Sequence, residues 1–195
     1  MMDEVIRVML GRNKRNNNFL HTLSPLLILN MKIHNIKVSF IFDQAVVEGK
    51  KTKQKVIVRD NGITHIIYMH TPNLVNTTGI KQVSDIEKIK VDLESKYSAL
   101  CKLCRIDSIF IQEKTKVRLD LNKVVQSCNI YSNIYHCSYN VEIFNGLFLK
   151  PYSRQYPTVL LFPSGTFQLL AGKSFNHILE TEKIVRQLIE LAKLP

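Results

Sequence analysis

The residues able to carry chemistry are few and poorly grouped. The four cysteines are Cys101, Cys104, Cys128 and Cys137. Cys101-Lys-Leu-Cys104 has the spacing of half a zinc site, and the other half would be a second pair at similar spacing. Cys128 and Cys137 are nine residues apart, with His136 as the only substitute ligand nearby. The CxxC also closes an amphipathic helical stretch, where thiols act as small hydrophobes. No metal site is expected. The six histidines are scattered, no Gly-rich phosphate loop is present, and no carboxylates pair at a readable spacing. The pattern therefore argues against an enzyme and implies no cofactor. Charge is the stronger signal. The chain has 27 Lys+Arg against 16 Asp+Glu, a net charge of +11. An excess of that size points to a polyanionic partner, nucleic acid first. Taken alone, the run Lys50-Lys-Thr-Lys-Gln-Lys55 reads as a solvated loop.

A chain of 195 residues, 45% hydrophobic and with only 7 Gly and 6 Pro, can bury a core in one domain or two small ones. The most apolar run, Pro25 to Leu29, is broken by Asn30 and Lys32 long before the ~18 residues of a membrane span. Asp3, Glu4 and Arg7 interrupt the first ten residues, which do not read as a signal peptide. The expectation is a reduced, intracellular, basic, globular protein.

The elements that would position a site are clearest in the second half. Ile106 to Ile111 predicts a strand, and Leu121, Val124, Val125 and Cys128 a short helix. Tyr131 to Cys137, Ile143 to Leu149 and Thr158 to Phe162 read as strands. Pro163-Ser-Gly165 predicts a hairpin between Leu161-Phe162 and Thr166 to Leu170. Ser174 could then cap a long helix with a broad apolar face, ending at Leu194. The first half ends alike. Thr64 to Met69 and Leu74 to Thr78 flank a Thr71-Pro-Asn73 turn, followed by a helix over 84–103 that opens on a Ser84/Glu87 capping box.

Gly79-Ile-Lys81 and Gly172-Lys173 stand at matching positions, which indicates an internal duplication. Two starts for the first repeat are open. If Val5 to Leu10 is its first strand, Ser24-Pro25 opens a short helix, and Lys32 to Phe42 forms a hairpin with Lys55 to Arg59. If Asn35-Ile36 begins it, the repeat has lost that helix. The first start is preferred because it reproduces the element order. The repeats are then 4–104 and 105–195. In Thr158 to Phe162 both strand faces are apolar, Val159 and Leu161 on one and Leu160 and Phe162 on the other. With one long helix per repeat, such a sheet has one apolar face left for a partner.

Ile106 to Phe110, Val117 to Leu119, Ser138 to Leu147 and Thr158 to Lys173 together resemble the TATA-box-binding protein (TBP) family over about 90 residues. The first repeat resembles it more weakly, through Ile66 to Tyr68 and Asn76 to Lys81. The resemblance implies an α+β saddle: two pseudo-symmetric repeats forming one curved antiparallel sheet, with two long helices on the convex face. It also implies a DNA-binding transcription initiation factor that bends A·T-rich DNA through the minor groove, with phenylalanines wedged between base steps. That mechanism is known from the family, itself a standard example of minor-groove kinking, and is not read from these residues. A TFIIB-type factor, the RNA polymerase machinery and double-stranded DNA are the implied partners, and no membrane is. The implied location is the nucleus, or the site of transcription of a virus or reduced genome.

Carried over by position, Phe144 and Phe162 match the phenylalanine pair of the second repeat, and Leu160 and Thr158 its groove-facing strand positions. Lys150 and Lys173 match basic positions near the DNA backbone. Glu142 matches an acidic position that meets the TFIIB-type factor in the family. In the first repeat Tyr68 matches a wedge, and Thr78 and Lys81 match a threonine and a lysine. Phe42 is the candidate for the other wedge. Ser108, Phe110, Gln168 and Leu170 depart from the family's reading surface, so base preference is open to change. The alternative implied function is a protein-interaction module of the same fold.

Overall fold

The computed structural model describes residues 32–47 and 54–195. They form β1 (Ile33–Phe42), β2 (Lys55–Asp60), β3 (Ile63–Tyr68), β4 (Leu74–Ile80), α1 (Asp85–Tyr97), β5 (Cys101–Lys114), α2 (Leu121–Ser127), β6 (Tyr135–Tyr139), β7 (Leu147–Pro151), β8 (Thr158–Leu161), β9 (Thr166–Gly172) and α3 (Phe175–Ala192). The described residues divide into two compact units, Asn35–Ser108 and Ile109–Pro195 together with 32–34, so that the division falls inside β5 and near the start of β1. The class is α+β, as expected. Among the described residues no helix is long and apolar enough to cross a membrane.

In the first unit the strand order is β2-β3-β4-β1-β5. Asn61 and Gly62 both have positive φ, 47° and 81°, in a two-residue turn that locks β2 onto β3 with Asp60 opposite Ile63. β1 pairs antiparallel with β4, Phe40 opposite Val75. The expected hairpin between 32–42 and 55–59 therefore does not form, because the tight Asn-Gly turn takes β2 to its sequence neighbour. The preferred first strand, Val5 to Leu10, lies outside the described residues, as does most of the basic run Lys50 to Lys55. Within the described residues β1 holds the place that β5 holds in the second unit, so Asn35 does lie on a first strand.

Ile36, Val38, Phe40 and Phe42 alternate into the core, where α1 contributes Ile86, Ile89 and Leu93 from one stripe. Each such side chain contributes about 1.5–3 kcal/mol. The helix is shorter than the expected 84–103. Ser98 adopts the left-handed conformation, φ 49°. Asp43 then captures the chain, its N–H donating to the Leu100 carbonyl (3.0 Å) and its carboxylate accepting from the Leu100 N–H (3.0 Å). Cys101 and Cys104 consequently lie on a strand rather than closing a helix. Nor does the capping box form: Ser84 makes no side-chain cap bond, and Glu87 pairs with Lys90 at 2.9 Å.

His65 sits in this core with Nδ1 2.9 Å from the Thr77 hydroxyl. Burial, assisted by Lys96 and opposed by Asp60, lowers its pKa below the ordinary value. The unfolded chain therefore takes up the proton more readily, and the neutral His65 contributes stability that is present above about pH 6.5 and lost as pH falls below it. The melting temperature should decline on acidification below pH 6.5, and His65→Gln should flatten that decline. An unchanged slope in the variant would count against this role.

In the second unit the order is β5-β9-β8-β7-β6. The predicted β8–β9 hairpin is present, with Gly165 at φ 74° and the Phe162 N–H donating to Thr166 O (2.9 Å). Asp120 caps α2, accepting from the N–H of Asn122 at 2.9 Å. α3 runs to Ala192, and Ser174 makes no side-chain cap bond. Its packing side is fixed by three contacts. The Tyr135 hydroxyl lies 2.7 Å from Thr181 Oγ1, Arg186 bonds Glu113 at 2.8 Å, and a Cβ on Gly172 would stand 2.5 Å from Ile178.

Candidate nucleic-acid interface

Strand alternation sends Ile109, Ile111, Leu147, Leu149, Val159, Leu161, Phe167 and Leu169 to the α3 side, where all are buried. Their neighbours occupy the opposite, open face of the second unit. A transverse row crosses it: Ser138 opposite Phe148, Phe148 opposite Leu160, Leu160 opposite Gln168, and Gln168 opposite Gln112. Gln168 donates to Gln112 Oε1 at 3.1 Å. Thr158 stands opposite Leu170 and Lys150 opposite His136. The reading of Leu160 and Phe162 as a second apolar face is therefore right for Leu160, which is half-buried on the open side.

Three rings meet at one end of that face. Phe144 lies 5.8 Å from Phe162 and 5.0 Å from Phe148, within the range of favourable edge and offset aromatic pairs. Phe144 and Phe148 are 37% and 36% exposed, in contrast to the fully buried Phe167. Asn140 sets the turn that places Phe144: its carbonyl accepts from the Phe144 N–H (2.9 Å) and its side chain from the Glu142 N–H (3.1 Å). Gly146 lets the rings approach, since a Cβ there would stand 2.6 Å from Phe144 and 3.1 Å from Phe162 ring carbons. The sequence reading missed Phe148 and Asn140. Alternation with Leu147 and Leu149 was the available signal for the first. Glu142 lies in the same turn beside Val141 and Ile143, 61% and 83% exposed.

In the second unit the described carboxylates keep off the open face. Lys114, His136 and Lys150 share the open face. The carboxylates lie elsewhere: Glu113 with Arg186 on the α3 side, Asp120 on the α2 cap, Glu180, Glu182 and Glu190 on α3, and Glu142 in the turn. Lys173 is exposed between β9 and α3, and Lys81 holds the matching exposed position after β4.

The first unit's open face carries Ile57 opposite Ile66, Ile66 opposite Asn76, and Asn76 opposite Ser39. Thr78 accepts from Asn35 Nδ2 at 3.0 Å, and Asn35 Oδ1 accepts from the Gly79 N–H at 2.8 Å. Tyr68 is 37% exposed at the end of β3, with His70 (5.5 Å) rather than a phenylalanine as its ring neighbour. Phe42 is not a wedge. It is 2% exposed and packs edge-on against Tyr97 at 6.4 Å, because its strand parity matches that of Val38 and Phe40.

Burial makes Cys101 and Cys104 poor nucleophiles, raising the first and pushing the second up to about 12. Cys128 donates to Cys137, which raises the first and lowers the second. No metal-binding group of three or more His, Cys, Asp or Glu occurs among the described residues.

No family model and no curated protein sequence matches the chain. A solved structure, Methanococcus jannaschii TBP, is similar, with a TM-score of 0.58 and 17% identity over 82% of this chain and 98% of that one. The chain therefore has a TBP-like fold.

Proposed function

We propose that this chain is a DNA-binding transcription initiation factor of the TBP kind, acting by binding and bending and without chemistry. One observation carries the reading: the exposed cluster of Phe144, Phe148 and Phe162 at the end of an open face that, among the described residues, bears cations and no carboxylate. Rings of this kind can replace lost base stacking in a kinked minor groove, and the lysines can neutralise flanking phosphates. Thr158, Leu160, Gln168 and Leu170 are the groove-facing residues of this unit, with Lys150 and Lys173 toward the backbone. Tyr68, Thr78 and Lys81 have the corresponding roles in the first unit. The exposed turn around Glu142 is the surface offered to a TFIIB-type factor and, through it, to RNA polymerase. The protein then works where transcription starts, in the nucleus or at the transcription site of a virus or reduced genome.

The Gln112–Gln168 pair favours a second reading, a protein-interaction module, because it interrupts the apolar surface with amides. Fluorescence transfer across an end-labelled A·T-rich duplex distinguishes the two. Binding with a shortened end-to-end distance is expected. Binding without bending, or none at low salt, would leave the interaction module.

A further inference from the structure

The first unit's open face holds a carboxylate. Ser39 lies between the buried Val38 and Phe40, so its hydroxyl points to the opposite, open side. There it donates to Asp107 Oδ2 and stands 3.0 Å from the Asn76 side-chain amide. Arg105 Nε donates to the other oxygen, Oδ1, at 3.0 Å. Ser39 is 1% exposed, so its grip on the carboxylate is rigid, while the Asp107 side chain retains 18% exposure. A carboxylate accepts at about four lone-pair positions and donates at none. Two are occupied here, which leaves about two for a donor on a ligand.

An acceptor in this place has a definite consequence for base choice. In the minor groove A·T and T·A pairs display only acceptors, whereas a G·C pair adds the guanine 2-amino donor. A carboxylate opposite adenine N3 or thymine O2 forms no hydrogen bond and meets like charge density. Opposite guanine it gains one. We infer that Asp107, positioned by Ser39 and Arg105, is a specificity-determining acceptor that selects a G·C pair at one register of the bound site. The inference rests on the proposed minor-groove reading and adds to it a preference opposite to that of an all-apolar face.

The test walks a single G·C pair through an A·T duplex and measures affinity at each register. One register should bind about tenfold more tightly than the all-A·T duplex, a difference of about 1.4 kcal/mol. Replacing that guanine with hypoxanthine, which lacks only the 2-amino group, should remove the gain. Placing 2,6-diaminopurine opposite thymine at the same register should restore it, which separates amino recognition from duplex deformability. Asp107→Ala, which leaves no side-chain acceptor, should abolish the ratio while raising affinity for every duplex, since it also removes a negative charge. The base-analogue arms use the unmodified protein and hold even if that variant folds poorly. Equal affinity for guanine and hypoxanthine at every register would overturn the inference and leave the interface reading intact. Failure to bind any duplex would overturn both.

Discussion

Replacing Phe144 and Phe162 together with alanine should remove most of the DNA bend while the protein stays folded. Truncating a buried Phe costs about 3–5 kcal/mol of folding stability, and the fully buried Phe167→Ala should show that full cost. The cluster is different. Phe144 is 37% exposed, so the double variant loses mainly the aromatic pair itself, about 0.5–1.5 kcal/mol, plus partial burial. For a chain of this size each kcal/mol lowers the melting temperature by about 2–4 °C. On the DNA side, intercalation exchanges a few kcal/mol of unstacking for a bend that wraps more protein surface. Without the rings that exchange fails. Gly146→Ala offers a subtler probe. Its φ is not positive, so the backbone accepts alanine, but the new methyl would stand 2.6 Å from Phe144 and force the rings apart. It should reproduce part of the bending loss with little change in melting. A collapsed melt in the double variant would make the rings core residues, and undiminished bending would remove their wedge role.

Raising salt from 50 to 200 mM should weaken duplex binding by on the order of a thousandfold. Each neutralised phosphate releases condensed counterion, and about six contacts give a log–log slope near −5. Six is a modest number for a chain of net charge +11. Lys114, Lys150 and Lys173 in the second unit, and Lys55, Arg59 and Lys81 in the first, are all exposed. Lys150→Ala and Lys81→Ala should each lower the slope by about one and weaken all sequences alike, the signature of a backbone contact. A slope near zero would mean that the charge serves another partner.

Local pattern was enough for much of the second unit. Pro163-Ser-Gly165 placed the β8–β9 hairpin, because a glycine at positive φ and a proline restrict the chain over four residues regardless of what surrounds them. The α3 stripe and the short α2 were legible for the same reason, since helical periodicity is written at intervals of three and four. Leu160 and Phe162 were placed by strand parity, whereas Phe144 was reached only through the family resemblance and lies in a turn ahead of β7 rather than on the expected strand 143–149. Composition added one expectation, a polyanionic partner, from 27 Lys+Arg against 16 Asp+Glu.

Tertiary structure decided the rest. Tyr97 and Leu100 share a helical spacing, yet the helix stops at Tyr97 because Asp43, 57 residues away, bonds the backbone of Leu100. β1 could pair with either of two later strands, and the choice fell to the Asn61-Gly62 turn, which used up β2. That pairing sets the parity of β1. It buries Phe42 and turns Ser39 toward Asp107, so that a candidate wedge became core and an unremarked serine came to hold the carboxylate at the open face. A one-residue change of parity exchanges the two faces of a strand. The alternation of Ile36, Val38, Phe40 and Phe42 with Asn35, Lys37 and Ser39 already favours this parity, but which residues meet Ser39 on the other face was decided only when folding brought Asn76 and Asp107 to it.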